Sequence, residues 1–266
     1  MSMAVIKRAL LDGRGLLVGL SIGLTLFAAM TMAFYPSFKD QGEIMMKAMP
    51  SFFRQMVAAR APWNTIEGFA SWEYTHPLCI ALCVSWAVSI SSRSIAGAIE
   101  QGTLGLVLSA PLSRTRYFLS CAAALFAGET IVLLGTAVAF GAAFYALGTP
   151  PRAGVLGLGN ALLQGLLVYG AFGSITLAVS AWVSEAGKAT LTGIGLIIAS
   201  VFVNLFAAVV KPFKQIETAS LLYYYHPYEA LRGIETPFWH YLVPLGVILA
   251  ALFVGWRGFS RRDLAI

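Results

Sequence analysis

The chain has 266 residues, of which 58% are hydrophobic and 11% charged, with a mean hydropathy of +0.77. That balance excludes a water-soluble globular domain and places the chain in lipid. The net charge of +6 goes with Lys and Arg at the ends of apolar runs, and no basic patch interleaved with stacking aromatics marks a nucleic-acid surface.

Met3 to Asp12 carries Val5, Ile6, Ala9 and Leu10 on one stripe beside Lys7 and Arg8, which predicts an interfacial helix leading into a first span. About 20 apolar residues cross the roughly 30 Å hydrocarbon core. On that measure the spans are Leu16 to Tyr35, Pro77 to Ile95, Tyr117 to Leu147, Val155 to Val183, Leu191 to Val210 and Tyr241 to Trp256. Backbone groups in lipid must be satisfied internally, and runs this long are helices. The basic start lacks a small-residue cleavage site, so the first span is expected to stay as an anchor. The fold class is all-α: a polytopic membrane protein with six transmembrane helices, forming a single transmembrane domain over residues 1–266.

The loop from Pro36 to His76 is too long for a connector. Met45, Met49, Phe52, Phe53 and Met56 recur at helical spacing, with Lys47, Arg54 and Gln55 elsewhere around the helix. This predicts one or two interfacial helices, broken near Pro50. His76, Cys79 and Cys83 follow at the start of the second span. With Met45, Met46, Met49 and Met56 they raise soft-metal handling, against the blander reading of small apolar Cys and an amphipathic Met stripe. Three cysteines, Cys121 included, form no disulfide framework.

Between the second and third spans lies AIEQGTLGLVLSAPLSRTRY, residues 98–117. Residues 98–110 suit a short helix with Leu104, Val107 and Leu108 on its apolar side and Glu100 and Gln101 in its first turns, ended by Pro111. As pattern alone, it is equally an amphipathic linker anchored by snorkelling Arg114 and Arg116.

Glu129 falls within the third span, where an ionisable group by default marks a functional site; burial at a helix interface and nearness to a span end are the alternatives. Gln164 and Asn204, in the fourth and fifth spans, suit interhelical hydrogen bonds or a substrate cavity. Gly157, Gly159, Gly165, Gly170 and Gly173 suit close helix packing. Ser184 to Lys188 reads as a plain turn. Tyr223, Tyr224, Tyr225, Tyr228, Phe238, Trp239 and Tyr241 read as an outer aromatic belt.

An even number of spans puts both termini on one side. Lys7, Arg8, Arg14, Arg93, Arg114, Arg116, Arg257, Arg261 and Arg262 share that face, which marks it as cytoplasmic. Lys39, Lys47, Arg54 and Arg60 lie in the first outer loop, offset by Asp40, Glu43, Glu67 and Glu73. No P-loop is present: SEAGKAT has Ala189 after Lys188 and Trp at position 182.

The run from Ile95 to Tyr117 resembles the cytoplasmic segment of type 2 ABC exporter permeases: Glu100, then Gly102, Thr103 and Leu104, a leucine-rich stretch, Ser109, Pro111, Ser113 and Arg114. FYPSF at residues 34–38 resembles the drug-exporter branch, and GFSRRDLAI at 258–266 the ending of many such permeases. Gln101 stands where many relatives carry a second acidic residue. The resemblance implies that residues 98–110 are a coupling helix, with Glu100, Gln101, Gly102, Thr103, Leu104, Leu108, Pro111 and Arg114 meeting a separate ATPase. It further implies two copies of that ATP-binding subunit, holding ATP and Mg, and a second permease subunit, giving a homodimer in a prokaryotic plasma membrane. In relatives the segment from Lys211 to His240 forms a short re-entrant pair of helices.

The chain itself has no ATPase site and is expected not to be an enzyme. The rival readings are a permease for copper-enzyme maturation, a non-transporting scaffold, and an intramembrane hydrolase built on Ser174, for which His76, His226 and His240 all lie in or beside outer segments.

Overall fold

A computed structural model describes residues 1–51, 54, 61–62, 65–109, 111–207 and 210–263. They form α1 (Met3–Asp12), α2 (Arg14–Ala48), α3 (Ile66–Tyr74), α4 (Pro77–Ser92), α5 (Ala98–Glu100), α6 (Thr103–Leu108), α7 (Arg114–Ala146), α8 (Gly154–Trp182), α9 (Ala186–Ala207), α10 (Lys211–Ile216), α11 (Pro227–Arg232) and α12 (Trp239–Arg261). No strand occurs among the described residues.

Six stretches are long and apolar enough to cross a bilayer: Arg14–Lys39, Pro77–Glu100, Arg114–Ala146, Gly154–Trp182, Ala186–Ala207 and Trp239–Arg261. The fourth span, α8, is the hub and packs on α12, α4, α7 and α9, while α2 lies against α7. Gly170 and Gly173 let Phe126 and Leu125 approach to where a Cβ would sit; Gly159 faces open space. Burial is uneven: over an 18-residue apolar stretch of each span, 67% is buried in the fourth but 28% in the first and 11% in the fifth.

α2 does not stop where the outer loop was expected. It runs through Pro36 to Ala48, since a proline removes only one N–H from the ladder and spanning helices tolerate that loss. The break near Pro50 is present, and the Arg54 guanidinium donates to the carbonyls of Lys47 (2.9 Å) and Met49 (3.0 Å) at the helix end. Phe52, Phe53, Gln55, Met56 and Arg60 lie outside the described residues.

α3 corrects a second expectation. It is capped by Thr65, whose hydroxyl accepts the Gly68 N–H at 3.1 Å, and it is buried along nearly its whole length against α2 and α11 rather than lying on a leaflet. Glu67 and Glu73 are therefore not solvated charges. Glu67 Oε1 accepts the Arg152 N–H at 3.2 Å. Burial pushes the Glu73 carboxyl up to about 7, with a hydrogen bond from the Thr31 hydroxyl opposing.

The tyrosine belt is also revised. A 3₁₀ turn over Leu221–Tyr224 carries the chain inward, burying Tyr224 and Tyr225. Tyr225 meets Tyr169 and Tyr74 edge-on at 5.6 and 6.3 Å, and burial raises its phenol well above the ordinary range. Phe238 and Trp239 stay exposed, as a belt requires.

Candidate functional site

The N-terminus, the start of α7 and the end of α12 meet at one end of the bundle. The Ser2 N–H donates to Ser120 Oγ at 2.7 Å, and the Arg114 guanidinium donates to the Arg262 carbonyl at 2.5 Å. The connector between the second and third spans lies at this proximal end.

The second span does not reach the connector as a regular helix. From Arg93 to Gly97 it widens into a π turn. Ser180 of α8 fills the gap: its hydroxyl donates to the Ser92 carbonyl (3.1 Å) and accepts the Ala96 N–H (2.9 Å), the two groups that an α-helix would join directly. The Tyr117 hydroxyl donates to the Ser94 carbonyl at 2.6 Å and ties α7 to the same turn.

The helix then continues as α5 through Glu100 and stops at Gly102, whose φ of +66° lies in the left-handed region. The expected single helix over 98–110 is thus two pieces. Glu100 and Gln101 end the second span, and only Thr103–Leu108 stands apart as α6. The glycine terminator wins over an apolar pattern that runs on without interruption. Thr103 Oγ1 donates back to the Ala98 carbonyl at 3.2 Å, bracing the corner. Leu104 is buried in a core with Ile95, Tyr117, Phe118 and Phe259; Val107 and Leu108 are half-buried. Gln101, Gly102, Leu106, Ser109 and Pro111 are exposed. Ser113 then caps α7 by accepting the Arg116 N–H at 3.3 Å.

Three charged side chains lock this end, each on a helix terminus of opposite partial charge. Glu100 Oε2 accepts the Ala186 N–H at 2.9 Å, at the start of α9. Arg114 sits over the last carbonyls of α12. Arg262 donates to the carbonyls of Ala181 (3.2 Å) and Val183 (2.7 Å) at the end of α8, and to Ser184 Oγ. The turn between α8 and α9 is shorter than expected, because Gly187 and Lys188 already lie in α9. Sequence reasoning missed Ser180, Arg262 and the exposure of Leu106; only the arginine-rich tail carried a signal.

The intramembrane polar residues do not form one constellation. Glu129 lies near the middle of the 33-residue α7, fully buried, so it is no span-end group, and neither oxygen has a partner among the described residues. Its neighbour Gly128 makes room for Trp86, whose indole N–H donates to the Leu125 carbonyl at 3.1 Å. Gln164 is satisfied on both sides: Oε1 accepts the His226 N–H (2.8 Å) and Nε2 donates to the Tyr241 hydroxyl (3.0 Å). Tyr241 donates in turn to Asn160 Oδ1 at 2.8 Å and meets Thr236 Oγ1 at the same distance. This network pins the segment after α9 to the bundle. Asn204 is half-buried on α9.

The His76 ring accepts the Leu78 N–H at 3.2 Å and caps α4, while Cys79 and Cys83 are buried thiols. Among the described residues no group of three or more His, Cys, Asp or Glu is placed to hold a metal ion. Ser174 Oγ has no hydrogen-bond partner there, histidine included.

Six helices long and apolar enough to span a bilayer, with a short amphipathic helix at one end, are the architecture of a multi-pass membrane protein. The chain matches the family described as ABC-2 family transporter protein over residues 3–264, nearly its full length, and belongs to that family. Members are membrane components of ABC transporters, not themselves catalytic, and they work with ATP-binding subunits. None of the curated proteins compared matches this chain.

Proposed function

We propose that this chain is the permease of an ATP-driven exporter in a prokaryotic plasma membrane, with the proximal end in the cytoplasm. It works as a homodimer with two copies of a separate ATPase that binds ATP and Mg, and α6 with its flanking residues is the coupling element. The observation carrying this reading is that α6 is fixed on one side and free on the other. Leu104 is sunk in the proximal core, while Leu106 keeps 76% of its surface exposed. A short rod held in this way passes a push into the bundle without unwinding. Glu100 and Arg114 connect its two flanks to α9 and α12, so a displacement reaches the fifth and sixth spans together. The first and fifth spans are the least covered within the chain, with Val18, Ile22, Ile198 and Phe202 exposed, which leaves room there for a second permease subunit as well as for lipid.

The test is co-purification with the ATPase and transport-coupled ATP hydrolysis in Ser109→Trp and Ser109→Arg, both changes at an exposed position at the end of α6. Loss of the ATPase from a bundle that melts like the wild type is the expected result. Unchanged co-purification and unchanged coupling in both variants remove α6 from the ATPase contact.

A further inference from the structure

Between α1, the π turn and α6 lies a cavity of about 790 Å³, within the size range of ligand pockets. Its walls are apolar, with Val5, Leu16, Ile90 and Val107, while Arg8, Asp12 and Arg93 line its polar part. Arg8 and Asp12 pair at 3.6 Å, both largely exposed. The exposed Arg93 side chain makes no hydrogen bond or ion pair with any described residue. Two arginines against one aspartate leave the lining with one positive charge in excess.

We propose that this cavity binds an anionic phospholipid of the adjoining leaflet, with its phosphate on Arg93 and Arg8 and its chains along the apolar walls. Arginine at a membrane surface recognises phosphate with several N–H donors, and basic pockets between spanning helices favour anionic headgroups. Net positive charge selects an anionic lipid over a zwitterionic one. Gln101, Thr103 and Val107 of the connector line the same cavity, so the bound lipid braces α6 against α1. The site rests on the proposed function only in naming the leaflet as cytoplasmic.

The test uses the full chain purified in detergent, with lipid retention read by native mass spectrometry and no ATPase present, so failure of the coupling assignment leaves the result intact. Phosphatidylglycerol should be retained in preference to phosphatidylcholine. Arg93→Gln should lower that retention about fivefold. Ala4→Trp, which fills the cavity from an exposed wall position, should lower it as well and decides the matter if Arg93→Gln fails to fold. Lys7→Gln, on α1 but outside the lining, should change nothing. Equal retention of the two lipids, an unaffected pair of cavity variants, or an equal loss in Lys7→Gln would overturn the proposal. Displacement of phosphatidylglycerol by soluble glycerol phosphate would overturn it too, pointing to a free-phosphate site.

Discussion

The Glu100 carboxylate accepts the backbone N–H of Ala186, 86 residues further along the chain, at 2.9 Å. An acid that the sequence suggests for its own short helix instead caps the fifth span. Two variants separate acceptor from charge: Glu100→Gln keeps an oxygen, Glu100→Ala keeps neither. Detergent melting should show Glu100→Ala destabilised by about 1 kcal/mol and Glu100→Gln by less. Equal melting of all three proteins would mean that the cap contributes nothing.

Gly102 should resist substitution for conformational reasons alone. Nothing lies within 4 Å of a Cβ built there, but its φ is +66°. Gly102→Val should cost ~1–2 kcal/mol, and Gly102→Asn, which tolerates the left-handed region, should cost clearly less. A melting series that ranks the variants by size would point to crowding instead.

Ser180→Ala leaves the Ser92 carbonyl and Ala96 N–H without their bridge in a buried place. A loss of ~1–3 kcal/mol is expected from an orphaned buried pair. Restored stability in a second variant with one residue deleted between Arg93 and Gly97 would show that the π turn exists to accept the hydroxyl.

The pH dependence of stability has a definite sign at Glu73. Its carboxyl is raised from 4.5 to about 7 by burial, so the folded protein holds this proton more tightly than the unfolded chain. The contribution is full below about pH 4.5 and is lost as pH rises through about 7. Glu73→Gln should remove this slope, matching the wild type near pH 4.5 and exceeding it at pH 8 by at most ~3 kcal/mol. Melting curves at the two pH values decide it.

Tyr241→Phe removes the hydroxyl shared by Asn160, Gln164 and Thr236. Destabilisation of ~1–3 kcal/mol should follow, with faster amide exchange over Pro227–Arg232 than over α8. Uniform protection across both segments would show that the network does not hold Pro227–Arg232 in place.

The spans were legible because an uncharged run of some 20 residues has one solution in lipid, and every predicted end falls within five residues of the observed one. The connector's position was legible for a similar reason, since its polar residues interrupt two such runs. Its inner break was not: EQGTLG carries no sign of whether Gly102 continues a helix or turns left-handed. Three adjacent tyrosines have the same composition in a belt or in a core, and only the turn at Ser220, whose hydroxyl donates to the Ser200 carbonyl at 3.1 Å, decides between them. The partners of Glu100, Arg114 and Arg262 were hidden because nearly all are backbone groups at the ends of distant helices, which leave no trace in side-chain pattern.

The widened turn at Arg93–Gly97 sets the angular phase of everything that follows it. One extra residue per turn rotates the next side chains by about 100° about the helix axis. Were the serine wedge withdrawn and the turn rewound, the Glu100 oxygens would swing away from Ala186 and the corner at Gly102 would point elsewhere. A single hydroxyl in the fourth span thus keeps the second span and the fifth in gear.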